Sequence, residues 1–191
     1  MKIQFDRVYA GVNLDHVGEN IDSIASNLLP DTKIIAVIKT DAYGHGALPI
    51  AKELEQKDVV FGYGVATAEE ALQLKNNGIR KPIIIIGYSF PSAYEEMIVR
   101  DVRLTVFTPD MLKEINSIAK RLGLIAKVHI KVDTGMSRIG IYPNDEGLDF
   151  VREALGYTNI RVEGVFTHLA RADEEDKKYA LRQLNRFHGF V

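Results

Sequence analysis

Cysteine is absent from all 191 residues. That excludes a disulfide framework, a thiolate metal site and a cysteine nucleophile, and it fits a reducing cytoplasm. A charge excess is also missing. Twenty-four Lys and Arg stand against 26 Asp and Glu, a net charge of −2. No broad basic field points to a nucleic-acid partner. Acidic and basic residues interleave, as on a solvated surface. Long hydrophobic runs are lacking too. The longest purely aliphatic run is the IIII of 83–86, whereas a membrane helix needs ~20 apolar residues. The opening MKIQFDRVYAGVNLD has no apolar region of a secretory signal. The expected setting is therefore cytoplasmic, with neither membrane nor nucleic acid nor metal as partner.

What is present is an alternation. After residue 32 the chain reads as six strand–helix units. The strands are expected at 33–38, 59–66, 81–87, 102–107, 124–133 and 160–169, and the helices at 47–56, 67–78, 91–100, 108–123, 144–156 and 174–190. Thr108 is the expected N-cap of the fourth helix, with Pro109 behind it. The strands are mostly continuous apolar runs, which predicts a parallel sheet covered on both faces. Regular βα repetition without a Gly-rich dinucleotide turn favours a (β/α)8 TIM-type barrel over a doubly wound sheet. Six units do not close eight strands, and such a barrel typically takes about 250 residues. Residues 1–191 are thus expected to be the N-terminal barrel domain of a longer protein. Ahead of the repeat, residues 8–29 read as a short strand followed by a helix.

Active sites of such barrels lie at the C-terminal ends of the strands. The polar residues there are Lys39, Tyr43, His45, Lys131, Asp133, Arg138, His168 and Asp173. Lys39 ends an apolar strand in AVIKTDAYGHGA (36–47). Burial lowers a lysine pKa and frees the neutral amine. A neutral amine forms a Schiff base with an aldehyde such as pyridoxal phosphate. The competing reading is a surface lysine snorkelling at a strand end. The following AYGHG favours a site. Glycines flanking a histidine suggest close backbone approach to another group, and Tyr43 offers a hydroxyl suited to a phosphate.

The stretch AVIKTDAYGHGA closely resembles the signature of the alanine racemases, pyridoxal-phosphate enzymes of fold type III. KVDTGMSRIG (131–140) and EGVFTHLARADEED (163–176) resemble two further blocks of that family. GVNLDHVGENI (11–21) is similar to its N-terminal segment. Order and spacing agree along essentially the whole chain. Thr40 and Arg171 replace an alanine common among relatives, at positions without chemistry.

The resemblance implies roles residue by residue. Lys39 would hold pyridoxal 5'-phosphate and act as one of two bases. Tyr43 would contact the cofactor phosphate. Arg138 would donate to the phenolic oxygen of the cofactor and to the substrate carboxylate. His168 would belong to the hydrogen-bond chain leading to the second base. Asp173 would line the substrate access corridor, with a solvated acidic loop as the alternative. Lys131 matches a lysine that is carbamylated in many relatives, with Asp133 as the other candidate to neutralise it. Asp41 and His45 would shape the turn after Lys39.

The implied activity is that of an isomerase interconverting L- and D-alanine and supplying D-alanine for cell-wall peptidoglycan. The implied assembly is a homodimer whose partner subunit provides the second base, a tyrosine from a C-terminal β domain. These residues alone are expected to be inactive. A racemase for serine or a basic amino acid, a non-catalytic pyridoxal-phosphate barrel protein and a fold-type III decarboxylase are the alternatives. The block after Lys39 favours a racemase over the last two.

Overall fold

The computed structural model describes residues 8–191. A helix, α1 (Leu14–Ala25), precedes the repeat, capped by Asn13, whose side chain accepts from the Asp15 and His16 amides. Six strands follow: β1 (Ile34–Val37), β2 (Val60–Val65), β3 (Ile83–Ile85), β4 (Val102–Val106), β5 (Ala126–Lys131) and β6 (Ile160–Phe166). All neighbouring pairs are parallel, in the order β1-β2-β3-β4-β5-β6. The single turn α2 (Lys39–Gly44) and α3 (Ala47–Leu54) connect β1 to β2. The helices α4 (Ala68–Asn76), α5 (Pro91–Val99), α6 (Pro109–Leu122) and α7 (Asp145–Gly156) make the later crossovers, and α8 (Lys178–His188) follows β6. Sequential order with a helix at every crossover is the arrangement of a TIM-type barrel. Six strands leave it open between β1 and β6.

The helix ends follow local chemistry. Thr108 caps α6 by accepting from the Met111 amide, and Pro109 occupies the first turn. Gly123 ends that helix at φ 66°, a left-handed conformation that costs glycine nothing. Thr67 and Asn144 cap α4 and α7 in the same manner.

Two expectations need correction. Residues 8–13 form no strand; Val8 and Tyr9 are exposed there, outside the apolar core that would stabilise one. Nor are the strands apolar on both faces throughout. On β4 and β5, Val102, Leu104, Val106, Ala126, Val128 and Ile130 are buried in the core, with Met97, Leu112 and Ile115 of the helices. The alternate residues are Arg103, Thr105, Lys127, His129 and Lys131. Arg103 of β4 donates to Glu163 of β6 at 2.9 Å, passing over β5. Only the concave side permits that reach. Arg103 also pairs with Asp101, and Lys127 bridges Asp101 and Glu163. The floor of the open barrel is therefore an ion-pair network, and higher up the same face becomes polar chemistry. On the β1 side the concave residues Ile35, Val37 and Phe61 remain 39–48% exposed.

Candidate active site

Lys39 stands just beyond β1 and starts a turn of unusual hand. Thr40, Asp41, Ala42 and Tyr43 have φ of 50–56° and ψ of 34–48°. Four successive non-glycine residues thus adopt left-handed helix, at a cost of roughly 1–2 kcal/mol each. Specific bonds hold them there. The Ala42 amide donates to the Ile38 carbonyl, and the Gly46 amide to the Asp41 carbonyl, both at 2.9 Å. Asp41 Oδ1 accepts from the Ala47 amide at 2.7 Å. His45 Nδ1 lies 2.9 Å from the Ala42 carbonyl. Glu70 adds two more: its oxygens accept from the Thr40 and Ala66 amides, each at 2.7 Å.

The flanking glycines meet a conformational need. Gly44 and Gly46 have φ of 88° and 91°, and a Cβ at Gly44 would meet nothing within 4 Å. The turn therefore needs glycine where the chain leaves the left-handed stretch.

Beyond β5 the chain makes a pinned excursion. The Asp133 amide donates to the Ile141 carbonyl at 2.8 Å, and the Ile141 amide to the Lys131 carbonyl at 2.9 Å. The Asp133 carboxylate accepts from the Gly135 and Ser137 amides at 3.0 and 2.9 Å. Gly140 closes the excursion at φ 128°, where a Cβ would come within 2.7 Å of the Asp133 amide nitrogen. The loop so fixed carries Arg138 into a cleft of about 220 Å³ lined also by Lys39, Ala66, Ile86, Gly87, Tyr88 and Ile139.

Lys131 lies beneath this loop, only 3% exposed. Its Nζ donates to the Val132 carbonyl at 3.2 Å and sits 5.2 Å from the centre of the Phe166 ring. Burial lowers its pKa from the ordinary 10.5 to about 8; Asp133 opposes that shift and Arg138 adds to it. His168, just past β6 and itself exposed, has its pKa lowered by partial desolvation, then by the positive charges of Arg138, Lys131 and Lys39. His168 therefore feels all three cations, and Lys131 feels Arg138. Asp133 is the carboxylate that acts against the shift of Lys131, and its Oδ1 already serves two amides.

The structure thus brings Lys39, Lys131, Asp133, Arg138 and His168 together at one end of the sheet. Tyr43 closes the left-handed turn, 61% exposed, outside the residues lining the cleft. Asp173 lies on the exposed loop between β6 and α8. Among the described residues no group of three or more His, Asp or Glu is arranged to hold a metal ion, and no helix is long and apolar enough to cross a membrane.

Two positioning features escape a reading of the sequence. Glu70 looks there like the first turn of an ordinary helix. Gln183, 1% exposed, accepts from the Ala170 amide and donates to Thr134 Oγ1 and the His168 carbonyl. It ties α8 to both loops of the site, together with Tyr179 and Arg186, which donate to the Gly135 and Thr134 carbonyls. The available signal for Gln183 is its place on the stripe Ala180, Gln183, Phe187, an amide at an apolar position of an amphipathic helix.

The family model described as "Alanine racemase, N-terminal domain" matches residues 12–191. The chain belongs to that family. An alanine racemase of Clostridium novyi is 39% identical over 96% of this chain and 47% of its own length. Alanine racemase 2 of Caldanaerobacter subterraneus is 42% identical over 92% of the chain and 45% of its own. A solved alanine racemase of Clostridium difficile, in complex with cycloserine, superposes with a TM-score of 0.86 at 42% identity, covering 92% of the chain and 47% of that structure. A histidine racemase of Leuconostoc mesenteroides has a TM-score of 0.84 at 27% identity, covering 92% and 46%. The chain spans about half the length of the curated relatives it matches. The strand-end cluster of this alanine racemase N-terminal domain is built by the same three blocks that carry the resemblance.

Proposed function

We propose that the chain is the cofactor-bearing barrel portion of an alanine racemase, an isomerase that exchanges the α-proton of alanine between two faces. The observation that carries this reading is that Lys39 and Arg138 line one cleft, with Lys131 buried beneath the loop that carries Arg138 and His168 within electrostatic reach of all three. An amine and a guanidinium facing one cleft suit a ligand with anionic groups. Pyridoxal 5'-phosphate with an amino acid presents a phosphate, a phenolic oxygen and a carboxylate, and its aldehyde suits a lysine amine. The donor set therefore fits the group. Bound there, the cofactor supplies an electron sink that makes the α-proton of an amino acid removable.

The chain's own residues supply the rest. Lys39 Nζ is the proposed attachment point and takes or returns the α-proton on one face. The guanidinium of Arg138 offers paired donors to a carboxylate and to the phenolic oxygen. His168, its charged form disfavoured by partial desolvation and by the neighbouring cations, is proposed to hold a neutral place in the hydrogen-bond chain toward the second base. Tyr43 is assigned to the phosphate and Asp173 to the access corridor. Lys131 is proposed to be carbamylated, which turns a cation beneath Arg138 into an anion that anchors it. The second base is assigned to a C-terminal domain of the partner subunit in a cytoplasmic homodimer, with D-alanine destined for peptidoglycan. Alanine is the favoured substrate because it is the one that most of the similar proteins named above are called after.

The test is chemical. Incubation with pyridoxal 5'-phosphate followed by borohydride should leave a stable label on the peptide containing Lys39. A label on Lys131 or on scattered surface lysines instead would refute the assignment. The full-length protein should racemise alanine faster than serine, lysine or histidine. Residues 1–191 alone should show negligible turnover, because one base and two open strand edges remain unmet.

A further inference from the structure

The left-handed turn after Lys39 needs a fixed anchor at its first residue, and the anchor comes from another βα unit. Glu70 occupies the third position of α4, after the N-cap Thr67. A carboxylate there usually folds back onto the N-cap amide. Here it reaches further. Its Oε2 takes the amide of Ala66, at the end of β2, and its Oε1 takes the amide of Thr40, beyond the end of β1. Both acceptor atoms are used, both at 2.7 Å, a length typical of charge-assisted bonds. Thr40 is the first residue of the strained stretch and directly follows Lys39. Ala66 lines the same cleft as Lys39. One side chain thus fixes the separation of two strand ends and the backbone from which Lys39 departs.

We infer that Glu70 is the positioning residue that aims Lys39, holding it toward the cleft by clamping the Thr40 and Ala66 amides. The part of this inference that concerns cofactor capture rests on the function proposed above. Glu70 has no role in proton transfer, since its contacts are with main-chain amides. Chemistry restricts the replacement. Glutamine keeps the shape but has one acceptor oxygen and would turn an NH2 group toward the second amide. Aspartate is one methylene shorter and cannot span both strand ends.

The experiment compares wild type, Glu70→Gln, Glu70→Asp and the neighbouring control Glu69→Gln in the full-length chain. Amide hydrogen exchange is read at Thr40 and Ala66. The rate of pyridoxal 5'-phosphate and borohydride labelling is read at Lys39, with exposed Lys113 as internal reference. Loss of one of the two bonds should speed exchange at one or both amides about tenfold in Glu70→Gln. Labelling of Lys39 per folded molecule should fall by a similar factor, with Lys113 unchanged and Glu69→Gln like wild type. Glu70→Asp should lie with Glu70→Gln. A purely structural role would lower the melting temperature yet leave the Lys39 rate per folded molecule intact, and that result overturns the inference. Unchanged exchange at both amides overturns it as well. If wild-type Lys39 takes no label, the proposed function fails, while the exchange comparison still decides whether Glu70 holds the turn.

Discussion

Lys131 offers the sharpest test of the site's electrostatics. Carbamate formation requires a neutral amine, and burial lowers the pKa of this lysine from 10.5 to about 8. At pH 7 that change raises the neutral fraction about 300-fold over an ordinary lysine, from about 0.03% to about 9%. Carbamate formation also releases a proton, so at a fixed concentration of dissolved carbon dioxide occupancy should climb steeply from pH 6, and below pH 8 it should exceed that of an exposed lysine by up to about 300-fold until it saturates. The assay is 13C NMR of the protein equilibrated with 13C-labelled carbon dioxide, assigned by loss of the signal in Lys131→Ala. The companion measurement is activity of the full-length enzyme. As a scale for the repulsion, two unneutralised cations 4 Å apart repel by about 4 kcal/mol at an effective dielectric of 20. Lys131→Ala removes both the cation and the proposed carbamate. It should lower kcat/KM, and a small added carboxylate should restore part of the loss. If no Lys131-dependent carbamate signal forms at pH 8, or Lys131→Ala retains full activity, the carbamate reading is wrong and Asp133 alone neutralises the lysine.

Three further outcomes follow from the geometry. Gly140→Ala forces a Cβ to within 2.7 Å of the Asp133 amide nitrogen at φ 128°; it should cost about 2–4 kcal/mol in urea unfolding and weaken Arg138-dependent binding of a carboxylate. Arg103→Ala leaves Glu163 on the concave floor without its closest partner. With Lys127 still 4.0 Å from that carboxylate, the loss should be about 2–3 kcal/mol, read as a lowered urea midpoint with an unchanged slope. His168 should titrate by NMR below 6.5, because its folded pKa is depressed by partial desolvation and by three neighbouring cations. The unfolded state then binds a proton that the folded state refuses, so this group's contribution to stability should fall as pH drops through 6.5 and level off below the folded pKa. His168→Gln should flatten that slope, and an unchanged slope would remove His168 from the acid response.

The sequence by itself determined the parallel α/β architecture, because its signals are local. Apolar runs such as that of 83–86 make strands, Thr108 with Pro109 starts a helix, and Gly123 ends one. The grouping of the candidate residues is legible there too, since Lys39, Lys131, Arg138 and His168 all fall at or just beyond strand ends, and parallel strands in sequential order bring those ends to one side. The tertiary structure decided matters that depend on pairs distant in the chain. The left hand of the turn at 40–43 is held in part by Glu70, 30 residues away. The ion pair of Arg103 with Glu163 bridges 60 positions, and it turned an expected apolar floor into a charged one. Gln183 reaches back 49 positions to Thr134. The depressed pKa of Lys131 arises from its burial at the loop that Gly140 closes. A residue's type and spacing fix what its own turn or strand can do. Which distant carboxylate or amide it meets is set by the register of the sheet and the stagger of its crossovers, and neither is written in any single segment.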